Sequence, residues 1–392
     1  MFKIGEKLYS AIYLWVEKTS LTEFHEEISK RVIGQPVLKD VCANVYSYLW
    51  CLLHDTIPNH NFILAAPSGS GKTETFRALR DYFAKAIPLL PVYSVDLSQI
   101  TSAGFKGAEP SSILEPLARC GQAFPAAIVF MDEFDKALMP CYSGKGDTHK
   151  DLQANLLTLV EGGNISIESR PRNVTINTSN ILFVGAGAFE EFREKRSSVP
   201  TPIGFGSDSG LTEDMPESHT PLTREDILKV GAMPELIGRF SFLYNYECLS
   251  QEAYHHIVRK VSADLCNAFH CHIIIDEDVV SGLVADSSGS VFGIRELEYT
   301  LRQRILQAWS EIQFNGVNLF DRDLCLRLHS DCYDYTLFEI PPDEEEETEE
   351  PIPEESNAFE SIPLTEEELQ ALTDFFHNTA SKKTTNDTRK AP

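Results

Sequence analysis

A glycine-rich octapeptide between two regular patterns constrains this chain more than any other feature. It reads Ala66-Pro67-Ser68-Gly69-Ser70-Gly71-Lys72-Thr73. A short apolar run at 62–65 precedes it and a helix-like pattern at 74–86 follows it, the context in which a G-x-x-x-x-G-K-[ST] pattern is credible. Glycines let backbone N–H groups turn toward phosphate, and the N-terminus of the following helix favours negative charge. The first glycine of the pattern is Ala66 here, whose methyl group need not block the loop. The sequence therefore predicts a P-loop.

The side chains of this loop have distinct expected roles. Lys72 is expected to reach the β- and γ-phosphates of a nucleoside triphosphate, and Thr73 to offer its hydroxyl to Mg²⁺. The expected nucleotide contacts are Pro67, Ser68, Gly69, Ser70, Gly71, Lys72, Thr73 and Glu74.

A second motif lies about sixty residues further on, where the apolar run 128–131 ends in two carboxylates, Asp132 and Glu133. A buried strand seldom ends in adjacent acids without a use. Asp132 fits a ligand of Mg²⁺ through its waters, and Glu133 fits the base that orients and deprotonates the attacking water. By itself the pair would more commonly be a solvated strand end. Together with the P-loop it predicts hydrolysis of the nucleotide.

The alternation of short apolar runs and helical segments along the chain predicts an α/β fold. Four short apolar runs, at 62–65, 92–95, 127–131 and 181–184, are typical of strands buried on both faces of a parallel sheet. Later the chain becomes mainly helical, with amphipathic segments at 251–269 and 294–312. We therefore predict an N-terminal helical arm (1–24), a large α/β domain (25–247), a small helical lid domain (248–338) and an acidic, largely disordered tail (339–392).

Charge and composition exclude several classes of protein. The net charge is −25, and residues 339–368 contain fourteen acids and no Lys or Arg, so direct nucleic-acid binding is disfavoured. No run of eighteen apolar residues occurs, so we expect no membrane span. The nine cysteines form no C-x-x-C pair and fit a reducing compartment. We expect a soluble, cytoplasmic protein.

Several further segments carry a resemblance to a known family. They are 32–35 (Val-Ile-Gly-Gln), 132–136 (Asp-Glu-Phe-Asp-Lys), 151–162, 178–183 with 187–189, 225–229 leading to 234–239, and 293–297. In this order they resemble the AAA+ unfoldases of the Clp/Hsl branch, and in particular the ClpX family, over about residues 25–335. The resemblance implies that the large domain contains a five-stranded parallel sheet with helices on both faces.

The resemblance also implies site residues that spacing alone would not reveal. Val32 and Ile33 would line the adenine pocket of bound ATP, and Arg295 would sense the nucleotide from the small domain. Arg239 would reach the γ-phosphate of a neighbouring subunit, which implies a homo-hexameric ring. Without the flanking matches, surface ion pairs would be the preferred interpretation of both arginines.

Two segments concern what such a ring would act on. Phe105 and Lys106 fall where ClpX-like proteins place the pore loop that grips a polypeptide substrate, with Lys106 replacing a hydrophobic neighbour. A core Phe in an ordinary turn is the alternative. Ile203-Gly204-Phe205 matches the tripeptide by which ClpX docks on the ClpP peptidase, and a coincidental loop is the alternative. No cysteine quartet precedes residue 60, so the zinc-binding module of ClpX is not expected and substrate recognition should differ.

Three functions follow from these patterns. The leading one is an ATP-driven unfoldase that translocates polypeptide, with delivery to a ClpP-like peptidase as an open possibility. The alternative is a remodeller of one protein complex that acts without a protease, which the loss of the zinc module and Lys106 favour. A nucleotide-binding scaffold that does not hydrolyse is the least favoured, because the positions for base, Mg²⁺ ligand and arginine finger are all filled.

Overall fold

A computed structural model describes residues 4–54, 56, 60–100, 110–119, 125–143, 146–167, 174–197, 221–269, 272–288, 294–316, 324–328 and 335–339. Several predicted features lie outside these ranges: the pore-loop residues Phe105 and Lys106, the docking tripeptide 203–205, and the acidic tail beyond residue 339.

Twelve strands lie in the described ranges. They are β1 (Phe62–Ala65), β2 (Val92–Asp96), β3 (Ala127–Asp132), β4 (Tyr142–Ser143), β5 (Gly146–Asp147), β6 (Asn164–Ile167), β7 (Val174–Asn177), β8 (Ile181–Gly187), β9 (Phe242–Asn245), β10 (His272–Ile275), β11 (Leu324–Leu328) and β12 (Tyr335–Glu339).

Thirteen α-helices lie in the same ranges. They are α1 (Glu6–Lys18), α2 (Leu21–Ser29), α3 (Leu38–Leu53), α4 (Lys72–Ala86), α5 (Glu115–Arg119), α6 (Phe134–Leu138), α7 (Thr148–Val160), α8 (Glu190–Ser197), α9 (Arg224–Val230), α10 (Pro234–Ile237), α11 (Gln251–Phe269), α12 (Glu277–Ser288) and α13 (Ile294–Phe314). Short 3₁₀ helices occupy Leu97–Gln99 and Pro110–Leu114.

The large domain is built on a five-stranded sheet in the order β2-β3-β8-β1-β9, and every neighbouring pair is parallel. The predicted five-stranded parallel sheet is confirmed, and four of its strands coincide with the apolar runs in the sequence. The fifth strand, β9, was not among the predicted runs; it lies at the sheet edge, where Phe242 is exposed and the other side chains are partly buried. Because β1 and β3 both pair with β8, their carboxyl ends meet at one edge of the sheet. That edge holds both sequence motifs.

Alternate side chains along the strands fill two separate cores. Ile63, Val129 and Phe183 belong to the core under α6, α7 and α10. Phe62 and Phe130 belong to the core under α1 to α4 on the opposite face. Helices therefore cover both faces, as expected for a parallel sheet.

The N-terminal helices α1 and α2 pack into the core that they share with α3 and α4. Trp15, which is fully buried, packs against Phe24 and Phe83, and its Nε1–H donates to the Tyr82 hydroxyl at 2.9 Å. Helix α2 opens with a capping box and continues through residue 29, across the expected boundary at 24/25. The shared aromatic core explains why no break occurs there.

The small domain packs α11, α12 and α13 around a core that includes Val258, Leu283, Leu301 and Ile305. Its two predicted helices are confirmed, and α13 extends two residues further, to 314. A three-stranded sheet was not predicted: β10 pairs parallel with β11, and β11 pairs antiparallel with β12. Within the described part of the chain, none of the helices has the length and apolar character needed to cross a bilayer.

Candidate active site

The P-loop connects β1 to α4 with the backbone geometry that its glycines permit. Gly69 and Gly71 have φ of 79° and 102°, a region that side chains disfavour. Between them Ser70 folds back on the loop, with its N–H and Oγ donating to the Pro67 carbonyl at 3.2 and 2.8 Å. Helix α4 then begins at Lys72, so its N-terminal N–H groups open toward the loop. A helix N-terminus of this kind favours a negatively charged group such as phosphate.

Lys72 and Asp132 meet across the edge of the sheet. Lys72 Nζ lies 3.5 Å from Asp132 Oδ1, and the Lys72 side chain is only 16 % exposed. Lys72 begins α4 after the loop that follows β1, and Asp132 ends β3. Strand β8, which pairs with both β1 and β3, brings the two residues into range. Carboxylate and hydroxyl oxygens are the ligands that Mg²⁺ takes in proteins. The Asp132 carboxylate and the hydroxyl of Thr73, which lies on the first turn of α4, are therefore suitable ligands for Mg²⁺.

Glu133 follows Asp132 in a left-handed backbone conformation, with φ of 56°. Among the described residues only Glu133 and Phe189 combine a side chain with positive φ, which costs about 1–3 kcal/mol and is often found at functional sites. Burial raises the pKa of Glu133, the charges of Asp135 and Asp132 raise it further, and Lys72 opposes them. A carboxylate with a raised pKa is a stronger base.

Helix α6, which starts directly after Glu133, packs onto the backbone of β8. A Cβ on Gly185 would lie 2.5 Å from the Phe134 ring, and one on Gly187 would lie 2.6 Å from Asp135 Oδ1. Asp135 is buried, and its Oδ2 accepts the N–H of Phe189 at 3.0 Å. This packing was not predicted from the sequence, although glycines inside a strand are a signal of close backbone approach. The packing fixes the position of the turn that carries Glu133.

A cavity of about 540 Å³ lies between the large and small domains and includes the predicted adenine residues Val32 and Ile33. P-loop residues 69–71 form one wall. Apolar side chains of the small domain form another: Leu249, Ile257, Val261 and Ile294. Apolar side chains beside a phosphate loop offer a surface that suits a nucleotide base.

A charged network crosses this cavity and was missed by the sequence analysis. Arg31 binds Glu74 at 2.8 Å and Asp81 at 2.7 Å. Lys260, from α11 of the small domain, lies 3.7 Å from Glu74 and donates to the Arg31 carbonyl at 3.1 Å. Glu74 therefore links the helix that begins at the P-loop to both domains. No spacing in the sequence pairs residues so far apart.

The two predicted arginines lie outside the cavity lining. Arg295 is exposed at the second position of α13, whereas that helix lines the cavity through Ile294, Glu298 and Arg302. Arg239 follows α10 and forms an ion pair with Glu161 of its own chain, with both side chains about half exposed. In the single chain, Arg239 thus forms a surface ion pair. This was the alternative interpretation of the residue from the sequence.

The P-loop and the acidic end of β3 lie at one edge of a sheet of five parallel strands, and a small helical domain closes the site. This arrangement defines an AAA+ ATPase. Residues 57–243 match the family model described as AAA domain (Cdc48 subfamily). Among curated proteins, the chain is similar to ATP-binding subunits ClpX of the ATP-dependent Clp protease. These similarities support a ClpX-like AAA+ ATPase.

Three relatives show the extent of the similarity. ClpX of Treponema denticola is 26 % identical over 327 residues, covering 74 % of this chain and 76 % of that protein. ClpX 3 of Methylococcus capsulatus is 29 % identical over 296 residues, covering 63 % and 66 %. ClpX of Azotobacter vinelandii is 30 % identical over 254 residues, or 56 % of each. The chain spans less than two thirds of the latter two.

Proposed function

We propose that this chain binds ATP with Mg²⁺ in the interdomain cavity and hydrolyses it with Glu133 as the general base. The observation that carries the proposal is the contact between Lys72 and Asp132 beside Glu133. Lys72 then neutralises the β- and γ-phosphates, and residues 69–71 offer backbone N–H groups to them. Val32 and Ile33 contact the adenine, together with the apolar side chains of the small domain.

Mg²⁺ would be held by the Thr73 hydroxyl and, through water, by Asp132. When bound, the ion neutralises charge on the phosphates. Glu133 accepts a proton from the attacking water, for which its raised pKa suits it.

The proposed functional unit is a homo-hexameric ring. Arg239 lies on the surface, and its partner Glu161 is equally accessible, so the guanidinium can exchange that carboxylate for a phosphate of a neighbouring subunit. Exposed ion pairs contribute only about 0–1 kcal/mol, a small cost for the exchange. Arg295 contacts the nucleotide from the small domain after that domain closes further.

The proposed work of the ring is unfolding and translocation of a protein substrate. Phe105 and Lys106 would contact the polypeptide in the pore. The tripeptide 203–205 would dock on a ClpP-like peptidase. The alternative, a remodeller that acts on one protein complex without a protease, is favoured by Lys106, because a charged residue weakens apolar grip on a polypeptide.

Mixing two inactive variants tests the shared site. Arg239→Ala and Glu133→Gln subunits are each expected to hydrolyse little ATP. In a mixed ring, some sites combine an intact Glu133 with an intact Arg239 from the neighbour, so activity should return. Absence of any recovery, with rings of both variants confirmed by light scattering, would contradict a site completed in trans.

Binding to a peptidase is tested separately. Purified ClpP should retain the wild-type chain, and Phe205→Ala should abolish retention. If neither protein is retained, the peptidase proposal is wrong, while the ATPase is unaffected.

A further inference from the structure

The side chain of Gln35 joins the P-loop to the segment that connects the two domains. It is buried, with 7 % exposure. Its Nε2 donates to the Ser70 carbonyl at 2.9 Å and to the Glu247 carbonyl at 2.9 Å. Its Oε1 accepts the Glu247 N–H at 3.0 Å. Both amide hydrogens and the amide oxygen are therefore engaged, which orients the side chain uniquely.

On the P-loop side, this amide holds a peptide group that faces the cavity. The Ser70 carbonyl and the Gly71 N–H belong to one planar trans peptide, so they point in opposite directions. Because Gln35 holds the carbonyl, the N–H of Gly71 is directed away from Gln35. Gly71 lines the cavity. Rotation of this peptide toward a bound phosphate therefore changes the hydrogen bond to Gln35.

On the other side, Gln35 holds the interdomain linker. Glu247 lies between the end of β9 at 245 and the start of α11 at 251. Two hydrogen bonds to the same residue fix the position of this linker relative to the large domain. The preceding residue, Gly34, has φ of 74°, and a Cβ there would lie 2.7 Å from the Ala253 Cβ of α11. The segment at residues 34–35 is thus in contact with both the loop and the small domain.

We propose that Gln35 is a positioning residue that couples phosphate binding at the P-loop to the orientation of the small domain. The inference rests on the proposed nucleotide site. The Gln35 side chain connects the P-loop and the linker directly through one rigid amide group. The contact of Lys260 with Glu74 is a longer ion pair, at 3.7 Å. A movement of the Ser70–Gly71 peptide is carried to Glu247 through one amide group.

Hydrogen exchange measured by mass spectrometry tests the coupling in the full chain. Exchange is followed in the P-loop (66–74) and in the linker with the first turn of α11 (246–255), with and without AMP-PNP and Mg²⁺ at saturation. Gln35→Met removes the amide and keeps the volume of the side chain. Gln35→Glu keeps Oε1 but replaces the NH₂ donor by a second carboxylate oxygen, with a negative charge, and it serves if the methionine variant does not fold.

Gln153 provides a matched control. It is also buried, its Nε2 donates to the Ala137 and Leu138 carbonyls at 3.2 and 3.3 Å, and its Oε1 accepts the Met233 N–H at 2.7 Å. This amide has the same bonding pattern but binds neither the P-loop nor the interdomain linker. Gln153→Met therefore reproduces the loss of stability expected of Gln35→Met without changing the proposed connection between the P-loop and the linker.

In the wild-type chain, the nucleotide should slow exchange in both segments. Coupling between sites typically corresponds to about 5- to 150-fold in affinity. We therefore expect nucleotide-dependent slowing in the linker to fall about fivefold or more in Gln35→Met, with slowing retained in the P-loop. Gln153→Met should retain both. Equal slowing of the linker in Gln35→Met and wild type would overturn the inference. No slowing of the wild-type P-loop would instead overturn the nucleotide site itself.

Discussion

Lys260 and Glu74 belong to different domains, yet Lys260 Nζ lies 3.7 Å from the Glu74 carboxylate. The same carboxylate is held at 2.8 Å by Arg31, which also binds Asp81 at 2.7 Å. The helix that begins at the P-loop is therefore connected by charge to both sides of the cavity. The distances indicate that the two cations contribute unequally.

We predict that Arg31→Met costs more free energy of unfolding than Lys260→Met. Arg31 makes short, charge-assisted bonds to two acids, and its loss leaves both without this partner. The expected costs are about 1 kcal/mol or more for Arg31→Met and about 0.5 kcal/mol or less for Lys260→Met, since both sites are partly screened by water. Urea denaturation without nucleotide measures them. Lys30→Met, which removes a well-exposed pair with Glu27, should cost least. Equal costs for Arg31→Met and Lys260→Met would contradict this ranking.

The glycines of β8 give a prediction about packing. Gly185→Ala would place a methyl group 2.5 Å from the Phe134 ring, so α6 must shift and stability should fall by about 1–3 kcal/mol. Thermal unfolding measures the change. Gly282→Ala is the control: it lies inside α12 with no atom within 4 Å of the new Cβ, and should stabilise the chain by about 0.5–1 kcal/mol. A neutral Gly185→Ala would contradict the close approach of α6 to β8.

The pH dependence of ATP hydrolysis follows from the surroundings of Glu133. The base must be ionised, so activity falls as pH drops through its pKa, which burial and the charge of Asp135 raise. Asp135→Asn removes one of the raising charges and should shift the acid limb of the kcat profile to lower pH. Asp151→Asn, exposed on α7, should leave the profile unchanged. A shift to higher pH in Asp135→Asn would contradict this electrostatic account.

The sequence predicted the parts of the site that depend on local patterns. The P-loop, the acidic end of β3 and four central strands have signals within a few residues, because strand burial and loop conformation are set locally. The sheet edge that unites Lys72 and Asp132 follows from parallel strand topology. Contacts between distant residues had no comparable signal. Glu74 binds Lys260 of the small domain and Gln35 binds Glu247 of the linker, and only the folded chain brings these residues together.

The small sheet of the second domain shows the same limit. All three strands are short, and α12 and α13 separate β10 from β11 and β12 in the chain, so the pairing of β10 with β11 depends on how these helices pack. The left-handed conformation of Glu133 was also unpredictable, because most acidic residues adopt other backbone angles. Both features arise from tertiary packing that overrides local preference.

Steady-state phosphate release from Mg²⁺–ATP by the purified chain, compared with Glu133→Gln, tests the central claim most directly. The wild-type chain should hydrolyse ATP, and the variant should be about 10²- to 10⁴-fold slower, the usual contribution of a general base. The variant should still bind a fluorescent ATP analogue, because Lys72 and the P-loop are unchanged. Equal rates of phosphate release from both proteins would show that Glu133 is not the base at this site.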